Sequence, residues 1–328
     1  MGDILITGGT GSFGSHFVRQ CLQDRQYRRV VVYSRDEWKQ AQLALGLGIT
    51  DVARHPRLRL MLGDVRDLQR LKQVMRGVSV VIHAAALKRV DAGAYNPSEI
   101  KRTNVDGTEN VCIAAMESGV QQVVTLTSDK GVQPTNIYGF SKGFAETLTV
   151  QANAYGFPAG TRYACVRYGN VLGSRGSVVE LWRQAILLGQ PLQLTDVQMT
   201  RFWLTLDMAC DLVRFALAKM RGGEIFVPKL HAAKLLDLYE ALAPKGYPLE
   251  VVGLRPSGEK LHEVLLAPHE VPLARDWGEH YIVPPEIHPW TEAEWLGDRL
   301  LKGFVYSSDQ VTRLSVAQIK HFLEAAHL

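Results

Sequence analysis

Residues 3–22 read DILITGGTGSFGSHFVRQCL. Asp3 to Thr7 is a short, mostly apolar run suited to a buried strand. Glycines then stand at 8, 11 and 14, and Phe17, Val18 and Leu22 return at helical spacing. Strand, glycine turn and helix in that order have a physical use. Glycine lets the backbone turn tightly and approach a pyrophosphate, and the helix amino end faces the phosphate charge. The stretch therefore predicts a dinucleotide site built from Gly8, Thr10, Gly11, Ser12, Phe13 and Gly14. A simple strand-to-helix turn does not require three spaced glycines.

Working outward, further apolar runs at 30–33, 57–62, 78–83, 123–127 and 162–167 alternate with helical stretches. That alternation predicts an α/β fold, a doubly wound parallel (Rossmann) sheet covered on both faces. Residues 1–167 make the dinucleotide domain. Residues 168–328 make mainly a smaller α/β substrate-binding lobe, with some segments returning to the sheet. The second strand ends at Ser34-Arg35-Asp36. A guanidinium there suits the 2′-phosphate of NADP, whereas an acid suits the ribose of NAD. Arg35 favours NADP; Asp36 leaves NAD open. Asp64, beside Val65, is either an adenine contact or a helix N-cap. Ala84, Ala85 and Ala86 are small enough for a cofactor to lie close, and Lys88 after them suits an anionic group. Asn104, amid apolar positions of a helix expected over 97–118, is expected to pin the fifth strand and its loop. His83 reads as a packed core histidine.

The fifth strand runs into Ser128, Asp129 and Lys130, and the following helix carries Tyr138 and Lys142 on one face. An ammonium beside a phenol stabilises the phenolate and lowers its pKa from about 10. Such a tyrosine can take a proton from a sugar hydroxyl while a hydride leaves the same carbon. Alone, the pattern also fits a surface pair on an amphipathic helix.

The 328 residues carry a net charge of +4 without a long basic run, which gives nucleic-acid binding no support. The four cysteines are far apart, and the histidines at 262, 269, 280 and 288 have no metal-ligand grouping. Met1 leads almost directly into a strand and no apolar run approaches a membrane span, so a cytoplasmic protein is expected.

In the second half, Asn170 follows the sixth strand as either a sugar-diphosphate contact or a turn residue beside Gly169. A Gly/Ser loop carries Arg175 and Ser177, and a helix begins at Val178. A strand ends at Thr195. Arg201, after Met199, can pair with a phosphate oxygen. Lys229 closes a strand at 224–228 as a possible phosphate contact, and 232–243 reads as helical. Arg255 precedes a helix expected near Gly258, with Glu259 able to bond a ribose hydroxyl or the arginine. Residues 267–298 lack periodicity and read as ordered loops. Ser315 caps a last helix.

TGGTGSFG followed by the Tyr138–Lys142 pattern resembles the extended short-chain dehydrogenase/reductase superfamily. VVYSRDEWKQ, AALKRVDAGAYNPSEIKRTNVDGTENV, TSDKGVQPTNIYGFSK, VRYGNVLGSRGSVV, MTRFWLTLDMA, GGEIFVPKL, RPSGEKLHE and FVYSSD look like successive blocks of the soluble, inverting UDP-N-acetylglucosamine 4,6-dehydratases of bacterial pseudaminic-acid and capsular-sugar pathways. Two departures stand out: Thr127-Ser128 where the family usually has Ser-Thr, and one extra residue, Ser257. The resemblance implies that Lys130 removes the C5 proton, Asp129 assists loss of the C6 hydroxyl, and Tyr138 serves the C4 hydroxyl while Lys142 holds the nicotinamide ribose. A lysine base implies a lowered pKa at Lys130. The resemblance also implies NADP as cofactor, a UDP-sugar as partner and a homo-oligomer. Retaining relatives typically carry Met where Tyr138 stands. A UDP-sugar 4-epimerase and a non-catalytic NADP-sensing regulator are the alternatives. The first leaves Asp129 and Lys130 unexplained; the second typically lacks the Tyr or the Lys.

Overall fold

Six runs become parallel strands: β1 (Asp3–Thr7), β2 (Val30–Ser34), β3 (Leu58–Leu62), β4 (Val78–His83), β5 (Gln122–Ser128) and β6 (Arg162–Tyr168). They lie in the order β3-β2-β1-β4-β5-β6. The computed structural model describes residues 2–255, 258–287, 290, 295 and 297–326. Every residue of β1 is buried, as a strand covered on both faces requires. One face packs the helices Ser12–Gln23 and Leu206–Lys219 through Phe17, Val18, Leu212 and Val213. The other packs Leu68–Met75 and Gly107–Glu117 through Leu71, Met75, Val111 and Ala115. The chain order reverses between β1 and β4, which opens a crevice at the strands' carboxyl ends.

The sheet continues past β6. Ile225–Pro228 joins it in parallel, and His280–Val283, Arg275–Trp277 and Asp298–Arg299 add antiparallel strands, ten in all among the described residues. This corrects the loops expected over 267–298. Strands of two to four residues show no usable alternation, and ladder pairing to Ile225–Pro228 is what orders them.

The lobe has its own core of Leu172, Val179, Trp182, Met199, Trp203, Leu238 and Ile319. Its three-stranded sheet is Asn170–Val171, Thr200–Leu204 and Ala232–Lys234. The helix expected from 232 therefore starts at Leu235, because Ala233 pairs with Arg201. Among the described residues no helix begins near Gly258: its φ of +88° and the bond from Asn136 Nδ2 to its carbonyl hold an open turn. Ser257 and His288 lie outside the described residues. Ser315 caps Val316–Ala325 in a capping box with Gln318.

A buried guanidinium ties the parts together. Arg167 on β6 donates to both oxygens of Glu146 on the helix Ile137–Gln151, and to both of Glu270 beyond the lobe segment Val264–Leu266. One cation thus serves two carboxylates, and every nitrogen of the guanidinium donates to a partner.

Candidate active site

At the glycine turn the backbone packs too closely for side chains. A Cβ at Gly8 (φ +64°) would stand 2.8 Å from the Ala85 backbone, and one at Gly14 2.5 Å from the Gly8 carbonyl oxygen. The helix Ser12–Gln23 starts with no side-chain cap and no acid in its first turn, so its amino-terminal N–H groups are available to an anion. These residues fit a dinucleotide phosphate. Phe13 is buried and packs on Phe17, so it shapes the turn rather than facing a ligand. Arg175, expected in the substrate lobe, arches over this turn instead: its guanidinium donates to the Thr10 carbonyl and its N–H to Ser12 Oγ.

Past β2, Ser34 accepts from Gln40, and Asp36 caps the helix Glu37–Gly46 by accepting from the Lys39 N–H. The acid is thereby engaged as a cap. Arg35 is exposed, with Asp64 at 3.7 Å. Asp64 also accepts from Arg66 and is not the helix cap; Asp67 is. Burial would raise the Asp64 pKa, but the bonds from Arg66 and the charge of Arg35 hold it below the usual range. Val65 is core, and its carbonyl accepts from Asn110.

Ala84, Ala85 and Ala86 line the loop after β4, and the Ala85 N–H reaches Thr7 Oγ1 at 3.3 Å. His83 is a buried core residue bonded to Thr7 and Thr108, and burial, with Lys142 nearby, drops its pKa to about 3. Lys88 donates to Ser174 across the crevice. Asn104 sits in a π-helical turn, Lys101–Asp106, that interrupts the expected continuous helix. It holds both the N–H and the carbonyl of Leu87, and its amide donates to Ser141. It thus pins the β4 loop to the Tyr138 helix, not the fifth strand as expected.

Ser128, Asp129 and Lys130 leave β5 at the crevice in a short 3-10 turn, Asp129–Gly131. That turn packs on the helix Ile137–Gln151 through glycines. A Cβ at Gly139 would lie 2.3 Å from the Lys130 carbonyl oxygen, and one at Gly143 2.9 Å from that of Gly131. Asp129 is fully buried; its Oδ1 accepts from Ser128 Oγ at 2.8 Å and Lys130 Nζ at 3.1 Å, while Oδ2 has no donor. Lys130 Nζ also donates to Asn170 Oδ1 at 3.0 Å, with Glu263 Oε1 at 3.7 Å. Asn170 is therefore a partner of Lys130.

Two electrostatic expectations are corrected. Burial alone would lower the Lys130 pKa, but Asp129 and Glu263 raise it above the ordinary lysine value. The Tyr138 pKa is raised, first by burial; Lys130, not Lys142, is the main cation opposing that. Lys142 is buried, donates to the Leu126 carbonyl, and has its pKa lowered to about 8 by desolvation.

In the lobe, Arg201 is buried, bonds the Thr200 and Leu261 carbonyls, and meets Glu259 at 3.2 Å; Arg255 lies 3.8 Å from the same carboxylate. Glu259 thus bridges the two expected phosphate ligands. Ser177 Oγ is buried without a partner where the helix Val178–Leu187 begins. Met199 and Thr195 turn into the lobe core, Thr195 Oγ1 donating to the Met199 sulfur. Lys229 is corrected: both oxygens of Asp276 hold it at 2.8 Å, and it lies over Tyr281 on the extra strands.

The sequence reading missed Lys260 and Glu263. Lys260 donates to the Asp129 and Val132 carbonyls and stands 2.6 Å from Glu263. The signal was the pair of charges in EKLHE immediately before the apolar run Val264–Leu266. Among the described residues there is no cluster able to hold a metal ion and no helix long and apolar enough to cross a membrane.

A family model described as polysaccharide biosynthesis protein matches residues 4–285. An inverting UDP-N-acetylglucosamine 4,6-dehydratase of Campylobacter jejuni is 40% identical over 316 residues, 94% of this chain and 92% of the relative. A UDP-glucose 4-epimerase of Rickettsia typhi is 36% identical over 331 residues, 98% of this chain and 94% of the relative. The X-ray structure of Pen from Bacillus thuringiensis superposes with a TM-score of 0.89 at 33% identity, covering 99% of this chain and 98% of that one.

Proposed function

The chain belongs to the polysaccharide biosynthesis protein family, and from that premise we propose that it is an NADP-dependent, inverting UDP-N-acetylglucosamine 4,6-dehydratase of the cytoplasm, serving surface-polysaccharide or nonulosonic-acid synthesis. The observation that carries this reading is the placement of Asp129 and Lys130. They stand at the carboxyl end of β5 on the turn packed against the Tyr138 helix, bonded to each other, and Lys130 donates in addition to Asn170 of the lobe. An epimerase needs one proton carrier at C4. This site offers a second acid/base pair.

Bound at the glycine turn, the nicotinamide dinucleotide supplies a hydride acceptor for C4 and a hydride donor for C6. Tyr138 takes the C4 hydroxyl proton, and Lys142 holds the ribose beside it. Oxidation at C4 acidifies C5–H, and Lys130 removes that proton. The proton that frees Lys130 as an amine passes to Asp129, 3.1 Å away, and Asp129 gives it to the C6 hydroxyl, which leaves as water. The partnerless Asp129 Oδ2 is a carboxyl oxygen with room for that proton. Arg201, with Arg255 bridged to it by Glu259, supplies cationic contact to the diphosphate. Arg175, over the glycine turn, is assigned to the cofactor side of the crevice. Arg35, with Asp36 engaged as a helix cap, favours NADP over NAD.

Incubation with UDP-N-acetylglucosamine and NADP tests this by mass. Loss of one water supports dehydration. An unchanged mass with a new isomer supports the epimerase reading, which the 36% identity to the Rickettsia typhi enzyme favours. In D₂O the product should carry deuterium at C5 with inverted configuration; retention there refutes the assignment of the inverting class.

A further inference from the structure

We propose that Glu263 is a positioning residue for Lys130: its carboxylate, shared with Lys260, holds the Lys130 amine in place and sets the pH at which that amine becomes a base. This rests on the reading of Lys130 as the C5 base. The geometry supplies three observations. Glu263 is buried, 2% exposed, on a segment of the lobe, and a carboxylate that deep is costly unless paired. It has two cationic neighbours, Lys130 at 3.7 Å from Oε1 and Lys260 at 2.6 Å from Oε2. Lys260 in turn donates to the carbonyls of Asp129 and Val132, on either side of the turn that carries Lys130. One carboxylate therefore clamps the β5 turn to the lobe and lies beside the reactive amine.

Facing Lys130, the β5 turn contributes Asp129, and the lobe contributes Asn170 and Glu263. Arg201 and Lys88 act on it through their charge, and Tyr138 does so only once ionised. Lys260, behind Glu263, competes for the same carboxylate. Two anions against this set hold Lys130 as ammonium, consistent with its raised pKa. Removing one anion must shift the balance toward the free amine. Removing the competitor Lys260 must shift it the other way.

The test is the apparent pKa of Lys130, read by competitive acetylation and peptide mass spectrometry across pH on the full chain, alongside the pH dependence of kcat. Glu263→Gln should lower the Lys130 labelling pKa by roughly one unit or more, since an opposite charge at this range moves a pKa by about 1–3 units. The rising limb of kcat should move to lower pH by the same amount. Glu263→Asp should restore most of the wild-type profile. Lys260→Met should move both readouts upward, and it carries the test if Glu263→Gln does not fold. An unchanged labelling pKa in Glu263→Gln, or in Lys260→Met where Glu263→Gln does not fold, overturns the inference. Labelling needs no turnover, so its result is independent of the mass assay, whose failure would sink the dehydratase reading alone.

Discussion

Gly139→Ala adds a single methyl group next to Tyr138. Its Cβ would lie 2.3 Å from the Lys130 carbonyl oxygen and 3.0 Å from the Pro134 side chain. The first contact is about 1 Å short of ordinary van der Waals separation. The obstacle is backbone, so no rotamer change relieves it. The Tyr138 helix and the 129–131 turn must part by about that distance. Such a shift moves the phenol away from the Asp129–Lys130 pair, and a misplacement of about 1 Å can cost about 100-fold in rate. Stability should change less. Overpacking costs about 1–3 kcal/mol, while alanine's advantage over glycine, about 1 kcal/mol in a helix interior, is smaller at this first-turn position. The expected result is a loss of about 100-fold in kcat, a small fall in Tm, and dinucleotide affinity near wild type. Steady-state kinetics, thermal unfolding and NADP titration read the three. A kcat within twofold of wild type in a folded variant would refute the view that this glycine contact sets the catalytic spacing.

Lys130→Ala should keep NADP affinity and abolish water loss; unchanged turnover would remove Lys130 from the mechanism. Arg35→Ala should weaken NADP by about tenfold, the worth of one charge-assisted bond, and leave NAD unchanged; equal losses for both in titration would contradict the 2′-phosphate assignment. Glu270→Gln removes one of the two carboxylates that Arg167 donates to, leaves the Glu146 pair intact, and should cost about 1–3 kcal/mol at pH 7 in urea unfolding. Burial would raise the Glu270 pKa, but Arg167 holds it below the ordinary carboxyl value. Its contribution is thus present above that value and is lost as pH falls through the lower folded pKa. The stability gap between wild type and Glu270→Gln should therefore narrow below about pH 4; a constant gap down to pH 2 would argue that the carboxylate charge is not what is lost.

The readable parts of this fold were those specified by neighbours in sequence. The glycine turn, the alternation of strands and helices and the Tyr138–Lys142 spacing each depend on residues within one or two turns of chain. What stayed hidden was decided by distant partners. Lys229 has the sequence setting of a phosphate ligand, but its partner Asp276 lies two strands away in the sheet. Arg175 crosses 165 positions to reach Thr10. Asn104 advertised a buried amide, but its targets, Leu87 and Ser141, come from two other segments. Glu263 is not legible locally, because charges beside an apolar run are ordinary surface chemistry and only its burial against Lys130 makes it unusual.

The late-joining strands have a consequence for engineering. A chain stopped after residue 167 would leave the β6 edge without Ile225–Pro228 and Arg167 without Glu270. The amino-terminal half is thus a poor candidate for stand-alone expression or modular exchange. Grafts meant to alter sugar preference should replace inserts on the lobe side and leave the returning ladder in the host.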